Sequence, residues 1–284
     1  MTRWFLAAML ACVLLSGGGL HAAQIEREKV EVLPYSDFAE GASLAWEDVS
    51  IPTRPGVRQR LLIARAANAG RRAVILFKGG SGIPITYDEG EKLRFVDNFL
   101  VRSSPLFARS GFVTAVVDAP SDRSGGMDDH FRSSKAHHAD IRAAVDFLVS
   151  EGAREVFLVG TSRGTQSVGY LATVMTHPNV KGYVLTASLE DVVFYADKIE
   201  RPVLMVHHSD DECRVTTYTA AVASYRAITK SRRKGFITIT GGDMSLSHPC
   251  RAMSAHGFIG AERETVAAVV DWMNGKTPPA HVSP

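Results

Sequence analysis

The sequence predicts an α/β protein, a mostly parallel central sheet with helices on both faces. Short apolar runs rich in β-branched residues alternate with segments of helical periodicity, as where Glu155–Val159 precedes Gly164–Met175. The runs are apolar throughout, as strands covered on both faces are. In addition, the glycine-rich turn after Phe77, together with Asp118, Ser162, Asp211 and His256, falls just after expected strands. Ligands of open α/β sheets bind beyond the carboxyl ends of the strands, so one sheet edge is expected to gather these residues.

Taken in order, Val57–Ala66 alternates like a strand, and Ala73–Phe77 is a short buried-type strand ended by Lys78-Gly79-Gly80-Ser81-Gly82. Ser103–Arg109 reads as a short helix stopped at Ser110-Gly111, and Phe112–Val117 as a strand ended by Asp118-Ala119-Pro120. Ser134–Ser150 is helical, with Ile141, Ala144, Val145 and Leu148 on one face. Strands follow at Glu155–Val159, Lys181–Thr186, Pro202–His207 and Phe236–Thr240, with helices at Gly164–Met175, Thr216–Thr229 and Ala261–Met273. The stretch between Thr186 and Pro202 is too short for a large lid, so the expected site is open with a minimal lid.

Residues 1–23 have the pattern of a secretory signal peptide. Met1–Arg3 supply positive charge, Trp4–Leu15 are nearly all apolar, and small residues lead to His21-Ala22-Ala23, with cleavage expected after Ala23. The apolar run is shorter than the roughly 20 residues a membrane span requires. Residues 24–56, broken by Pro34, Pro52 and Pro55, read as an N-terminal extension, and residues 57–284 as one domain. The mature protein is thus expected outside the cytoplasm, periplasmic or secreted, with no membrane association. A net charge of +2, with 22% of residues charged, gives no reason to expect a nucleic-acid partner. Oligomeric state has no signature.

Gly160-Thr161-Ser162-Arg163-Gly164 fits G-x-S-x-G between an apolar strand and a helix, the setting of a nucleophile elbow. The turn crowds the residues two before and two after the serine, and both are glycine. A serine hydroxyl needs a base within hydrogen-bond reach, and the base needs an orienting acid. On this strand–turn–helix scaffold the chain order is serine, acid, histidine. The acid follows the strand Pro202–His207, where Asp211 is preferred to Asp210 because it lies farther into the loop. The base precedes the last helix, where His256 is preferred to His248, which adjoins Pro249 and Cys250. A tetrahedral intermediate needs two backbone donors. One is the N–H of Arg163, and the other is expected from Gly80 or Ser81. Arg163 itself is expected in an ion pair with a neighbouring aspartate. His138, Phe131, Tyr195 and Phe258 are candidate pocket walls.

Once the leader is removed, Cys213 and Cys250 remain, a disulfide candidate in an oxidising compartment that would staple the acid loop to the histidine loop. The competing metal site, Cys213 and Cys250 with His208 and His248, lacks zinc-finger spacing. The glycine-rich turn matches neither the P-loop nor the dinucleotide pattern, so no cofactor is expected.

The elbow Gly160–Gly164, the acid loop His207–Asp211 and the segment Ala255-His256-Gly257 together resemble the α/β-hydrolase superfamily, and the compact core resembles its dienelactone-hydrolase-like branch. The likeness runs from about Val57 to Met273. It implies a Ser–His–Asp triad and an acyl-enzyme, in a superfamily mostly of ester hydrolases that also holds amidases, peptidases and lipases. The expected function is an exported ester hydrolase with a small-molecule ester or amide substrate, the alternatives being an amidase or peptidase with the same triad and a secreted binding protein that keeps the fold without turnover. Lys78 departs from the pattern, standing where many esterases carry a histidine before the oxyanion glycines.

Overall fold

The computed structural model describes residues 24–33, 38, 41, 43–87 and 92–284. The expected signal peptide, residues 1–23, lies outside the described residues.

The strands are β1 (Glu26–Val30), β2 (Val32–Leu33), β3 (Leu44–Arg54), β4 (Val57–Ala66), β5 (Arg72–Phe77), β6 (Ile85–Tyr87), β7 (Leu93–Phe95), β8 (Phe112–Val117), β9 (Glu155–Ser162), β10 (Val180–Ser188), β11 (Val203–His208), β12 (Lys234–Ile239) and β13 (His281–Val282). The helices are α1 (Phe99–Arg102), α2 (Ser104–Arg109), α3 (Asp129–Arg132), α4 (Lys135–Ser150), α5 (Gly164–Val174), α6 (Val193–Ala196), α7 (Tyr218–Ala227) and α8 (Glu262–Met273). Ser134 and Thr217 cap α4 and α7, accepting the N–H groups of His137 and Ala220.

A ten-stranded sheet runs in the order β1-β3-β4-β8-β5-β9-β10-β11-β12-β13. From β8 to β13 every neighbouring pair is parallel, while β1, β3 and β4 form an antiparallel edge. The fold is thus the mostly parallel α/β sheet expected. The supposed extension, residues 24–56, is a correction: it supplies β1 and β3, and β3 pairs with β4 from Leu44↔Ala66 to Arg54↔Val57. Pro52, which suggested a breaker, lies beyond Ser50, the last β3 residue paired with β1. A residue without an N–H is tolerated at such an edge.

Strand residues alternate between two cores. Ile75, Phe77, Val156 and Leu158 pack with Ile141, Val145, Val168 and Leu171 of α4 and α5 on one face. Leu76, Phe157 and Val159 pack with Phe99, Phe107, Val266 and Trp272 of α1, α2 and α8 on the other. Both faces are covered, as the apolar strands require.

The site's position follows from the strand order. After β5 the chain returns to β8 on one side, and the strands after β9 continue on the other. Neighbouring strands whose connections leave in opposite directions open a crevice at their carboxyl ends. The turn after Phe77 and the elbow at Ser162 flank that crevice.

Candidate active site

Ser162 ends β9 with φ +52°, the left-handed region that a non-glycine residue enters only under constraint. The constraint comes from the two motif glycines. A Cβ at Gly160 would lie 2.5 Å from the Gly164 carbonyl oxygen, and one at Gly164 would lie 2.1 Å from that of Phe77. Only glycine allows strand, turn and helix to approach so closely. The half-buried Ser162 is thereby left at the head of α5.

Asp211 lies in the loop after β11, with its side chain fully buried. One carboxylate oxygen accepts the Cys213 N–H at 2.9 Å. The other accepts His256 Nδ1–H at 2.9 Å and the Thr216 hydroxyl at 3.1 Å, and lies 3.3 Å from His207 Nε2. Burial alone would raise this carboxyl. The bonds from His207 and His256, with the His256 charge and the Cys213 N–H, outweigh it and hold the group well below the usual carboxylate range. The acid is therefore ionised, and His256 Nδ1 carries the proton that faces it. Nε2 is left on the other side of the ring.

The sequence alternatives are placed differently. Asp210 is exposed and accepts the Ser209 hydroxyl at 2.9 Å. His248 is exposed, and its Nδ1 accepts the Cys250 N–H at 3.4 Å. Cys213 and Cys250 form a disulfide, with Cα atoms 4.5 Å apart, that joins the acid and histidine loops. The sulfurs the competing metal site would need are committed to that bridge.

Ser162 and His256 line one cavity of about 480 Å³, with Lys78, Gly79 and Gly80 along one wall and Cys250–Met253 along another. No hydrogen bond joins the serine hydroxyl to the ring here. In free enzymes this contact is often long and tightens with substrate. Immediately after His256, a Cβ at Gly257 would lie 1.8 Å from the Ala252 carbonyl oxygen, so glycine there lets the histidine loop close.

Of the two oxyanion candidates after β5, Gly80 lines the cavity. Ser81 is not among the lining residues, and its carbonyl accepts the Met127 N–H at 2.8 Å. Arg163 follows the serine at the head of α5, and its guanidinium pairs with Asp129 at 2.8 Å, the ion pair expected of it. The pocket-wall candidates fall elsewhere. Phe131 belongs to a small cluster with Ala119 and Met127, and Tyr195 shares its hydroxyl with Ser133 and Gln166. Phe258 is buried against Phe99, and His138 does not reach the cavity lining. Asp118 faces Arg60 at 3.5 Å and is likewise not among the lining residues.

Three features were missed in the sequence. Gly79 is the turn residue that approaches Ser162: a Cβ there would lie 2.8 Å from Ser162 Cβ. His207 is buried behind Asp211. Its Nε2–H donates to the Thr216 carbonyl at 2.7 Å and its Nδ1 accepts the Ser188 N–H at 3.3 Å, which fixes its tautomer. Ser188 pairs with Ser162 across a bulge at Ala187, itself at φ +43°, so the strand beside Ser162 also braces His207 behind Asp211. Thr216 touches both partners, 3.1 Å from Asp211 Oδ2 and 3.0 Å from His256 Nδ1. A histidine four residues before the acid was the one available signal for His207.

No protein-family model and no curated protein sequence matches the chain. Solved structures do resemble it. A cold-adapted esterase from an Arctic intertidal metagenomic library aligns with a TM-score of 0.56 at 17% identity, over 83% of this chain and 95% of that one. Est1E from Butyrivibrio proteoclasticus aligns at 0.56 and 16% identity, over 80% of this chain and 98% of that one. A putative α/β hydrolase from Agrobacterium tumefaciens aligns at 0.57 and 16% identity, over 82% of this chain and 99% of that one. At these identities the likeness establishes the fold, and the fold is that of the α/β hydrolases.

Proposed function

We propose that this chain is an exported serine hydrolase that cleaves small carboxylic esters through a Ser162–His256–Asp211 triad. The observation that carries this reading is a left-handed serine and a histidine held by a buried, ionised aspartate, both lining one cavity. In this reading His256 Nε2 takes the Ser162 proton as the hydroxyl oxygen attacks the ester carbonyl carbon. Asp211 keeps the ring in the required tautomer and stabilises its charged form. The oxyanion accepts the N–H groups of Arg163 and Gly80. The tetrahedral intermediate collapses, His256 returns the proton to the leaving alcohol, and an acyl-enzyme remains. Water, activated by the same ring, then releases the acid and restores Ser162.

Export rests on the leader pattern of residues 1–23 and on the Cys213–Cys250 bridge, which suits an oxidising compartment. Ester specificity is favoured by the esterases among the similar structures. Peptide or amide cleavage by the same triad is the second reading. An acylaminoacyl peptidase also resembles the chain, with a TM-score of 0.55 at 10% identity, over 82% of this chain and 42% of that one. A panel of p-nitrophenyl esters against peptide anilides separates the two. Turnover of short esters with inert anilides is expected, and faster anilide cleavage would favour the peptidase. Absence of any turnover would overturn the catalytic reading.

A further inference from the structure

Lys78 has no task in the mechanism above. It follows β5 directly and lines the cavity, and among the described residues no carboxylate lies within ion-pair distance of it. Its Nζ donates a hydrogen bond to the Gly79 carbonyl at 3.1 Å. That carbonyl also accepts the Gly82 N–H at 3.2 Å, closing a tight turn. The next carbonyl, of Gly80, accepts from Arg132 Nη2 at 3.0 Å. Arg132 is fully buried on α3, its Nη1 reaches Ser167 Oγ at 3.3 Å, and its Nε has no partner. Two consecutive carbonyls of the loop beside the nucleophile are therefore each held by a cation.

A peptide unit is planar and trans, so a carbonyl and the N–H that follows it point in opposite directions. Holding the Gly79 carbonyl fixes the direction of the Gly80 N–H, and holding the Gly80 carbonyl fixes that of Ser81. Gly80 stands at φ +57° between Gly79 and Ser81, and a glycine pair resists rotation of the peptide less than any other sequence. A rotated Gly79–Gly80 peptide would offer a carbonyl oxygen where the mechanism needs a donor.

We infer that Lys78 is a positioning residue for the oxyanion loop: its ammonium holds the Gly79 carbonyl and so keeps the Gly80 N–H turned to the reacting carbonyl. Arg132 holds the following peptide. The inference rests on the hydrolase reading and adds to it a residue that acts through the backbone. Burial, and then the charge of Arg132, push the Lys78 amine down to about 8, while Asp118 opposes them. Arg132 faces it from α3 and Asp118 from the end of β8, and Asp97, Arg251 and His256 lie around the same cavity. A charged donor makes roughly twice as strong a hydrogen bond as a neutral one, so the hold slackens as the ammonium loses its proton. Stability moves the other way. The unfolded chain keeps this proton up to 10.5, so between about 8 and 10.5 it binds more protons than the folded chain, and raising the pH favours the fold.

The test is kcat and KM for a p-nitrophenyl ester from about pH 6 to about pH 10, with melting followed in parallel. Wild-type kcat is expected to fall above about 8 while this group's contribution to the melting temperature rises. In Lys78→Met, kcat drops roughly ten- to a hundredfold with a smaller change in KM, and the alkaline fall disappears. In Lys78→Arg most of kcat remains, and the fall moves out of range because a guanidinium keeps its proton. Wild-type kcat and an unchanged alkaline fall in Lys78→Met would overturn the inference while leaving the hydrolase reading intact. The Gly80 amide resonance reads the same contact without turnover. It titrates near 8 in the wild type and is flat in Lys78→Met, and a wild-type resonance that does not move overturns the inference.

Discussion

Ser162, the last residue of β9, and Asp211, in the loop after β11, stand at one edge of one sheet, yet the chain holds them by different means. Around Ser162 the constraint is steric: Gly160, Gly164 and Gly79 let backbones approach to distances no side chain permits, and the serine is forced to φ +52°. Around Asp211 the constraint is polar and covalent: donors from Cys213, Thr216, His207 and His256 surround the carboxylate, and a disulfide ties its loop to the histidine loop. A turn set by the core strands needs no bonds from its own side chain, whereas two loops far apart in sequence need partners to meet. Changes at the glycines around Ser162 should therefore act first on the fold, and changes around Asp211 on the chemistry.

The sharpest separation is expected from Asp211→Asn. The ring loses the partner that sets its tautomer, and kcat should fall by about four orders of magnitude in a folded protein. Because the folded-state carboxyl is held below its ordinary value of 3.8, its stabilising contribution is full above that pH and is lost as the pH falls through the depressed value. The melting-temperature gap between wild type and Asp211→Asn should be constant from neutral pH to about 4 and narrow below it.

Gly164→Ala probes the opposite end. Its Cβ would meet the Phe77 carbonyl oxygen at 2.1 Å, so β5 or α5 must shift, and a loss of about 4 kcal/mol is expected in denaturant unfolding. A Gly164→Ala protein that melts like the wild type would break the comparison. Next in size, Cys250→Ser removes a bridge spanning 37 residues, worth about 3–4 kcal/mol in the chain-entropy model, and should lower kcat more than it raises KM. The smallest change in stability sharpens the steric half. Ser162→Gly relieves the left-handed serine and should raise stability by about 1 kcal/mol while abolishing turnover.

The serine end was the more legible in sequence because everything that makes an elbow is local: a strand, G-x-S-x-G and a helix follow one another between Glu155 and Val174. The proposed acid and base could be read as an order along the chain, and in the structure Asp211 and His256 meet while Asp210 and His248 bond to neighbouring residues. What stayed hidden depends on side chains reaching across the fold. The hold of Arg132 on the Gly80 carbonyl joins positions 52 apart, and no spacing rule announces it. Gly79 and Ser81 look alike as members of a glycine-rich turn until the direction of the turn is known. β3 was obscured by Pro52, because a proline reads as a breaker unless it is known that the strand, paired there with β4, has no partner on its other side.

The central claim, that the left-handed serine is an activated nucleophile, is tested most directly by treating the folded protein with a fluorophosphonate and mapping the adduct by mass spectrometry. The account predicts one adduct, on Ser162, formed by the native protein and not by the unfolded chain or by Asp211→Asn at a comparable rate. A folded wild type that takes no adduct, or takes it on another residue, would contradict it.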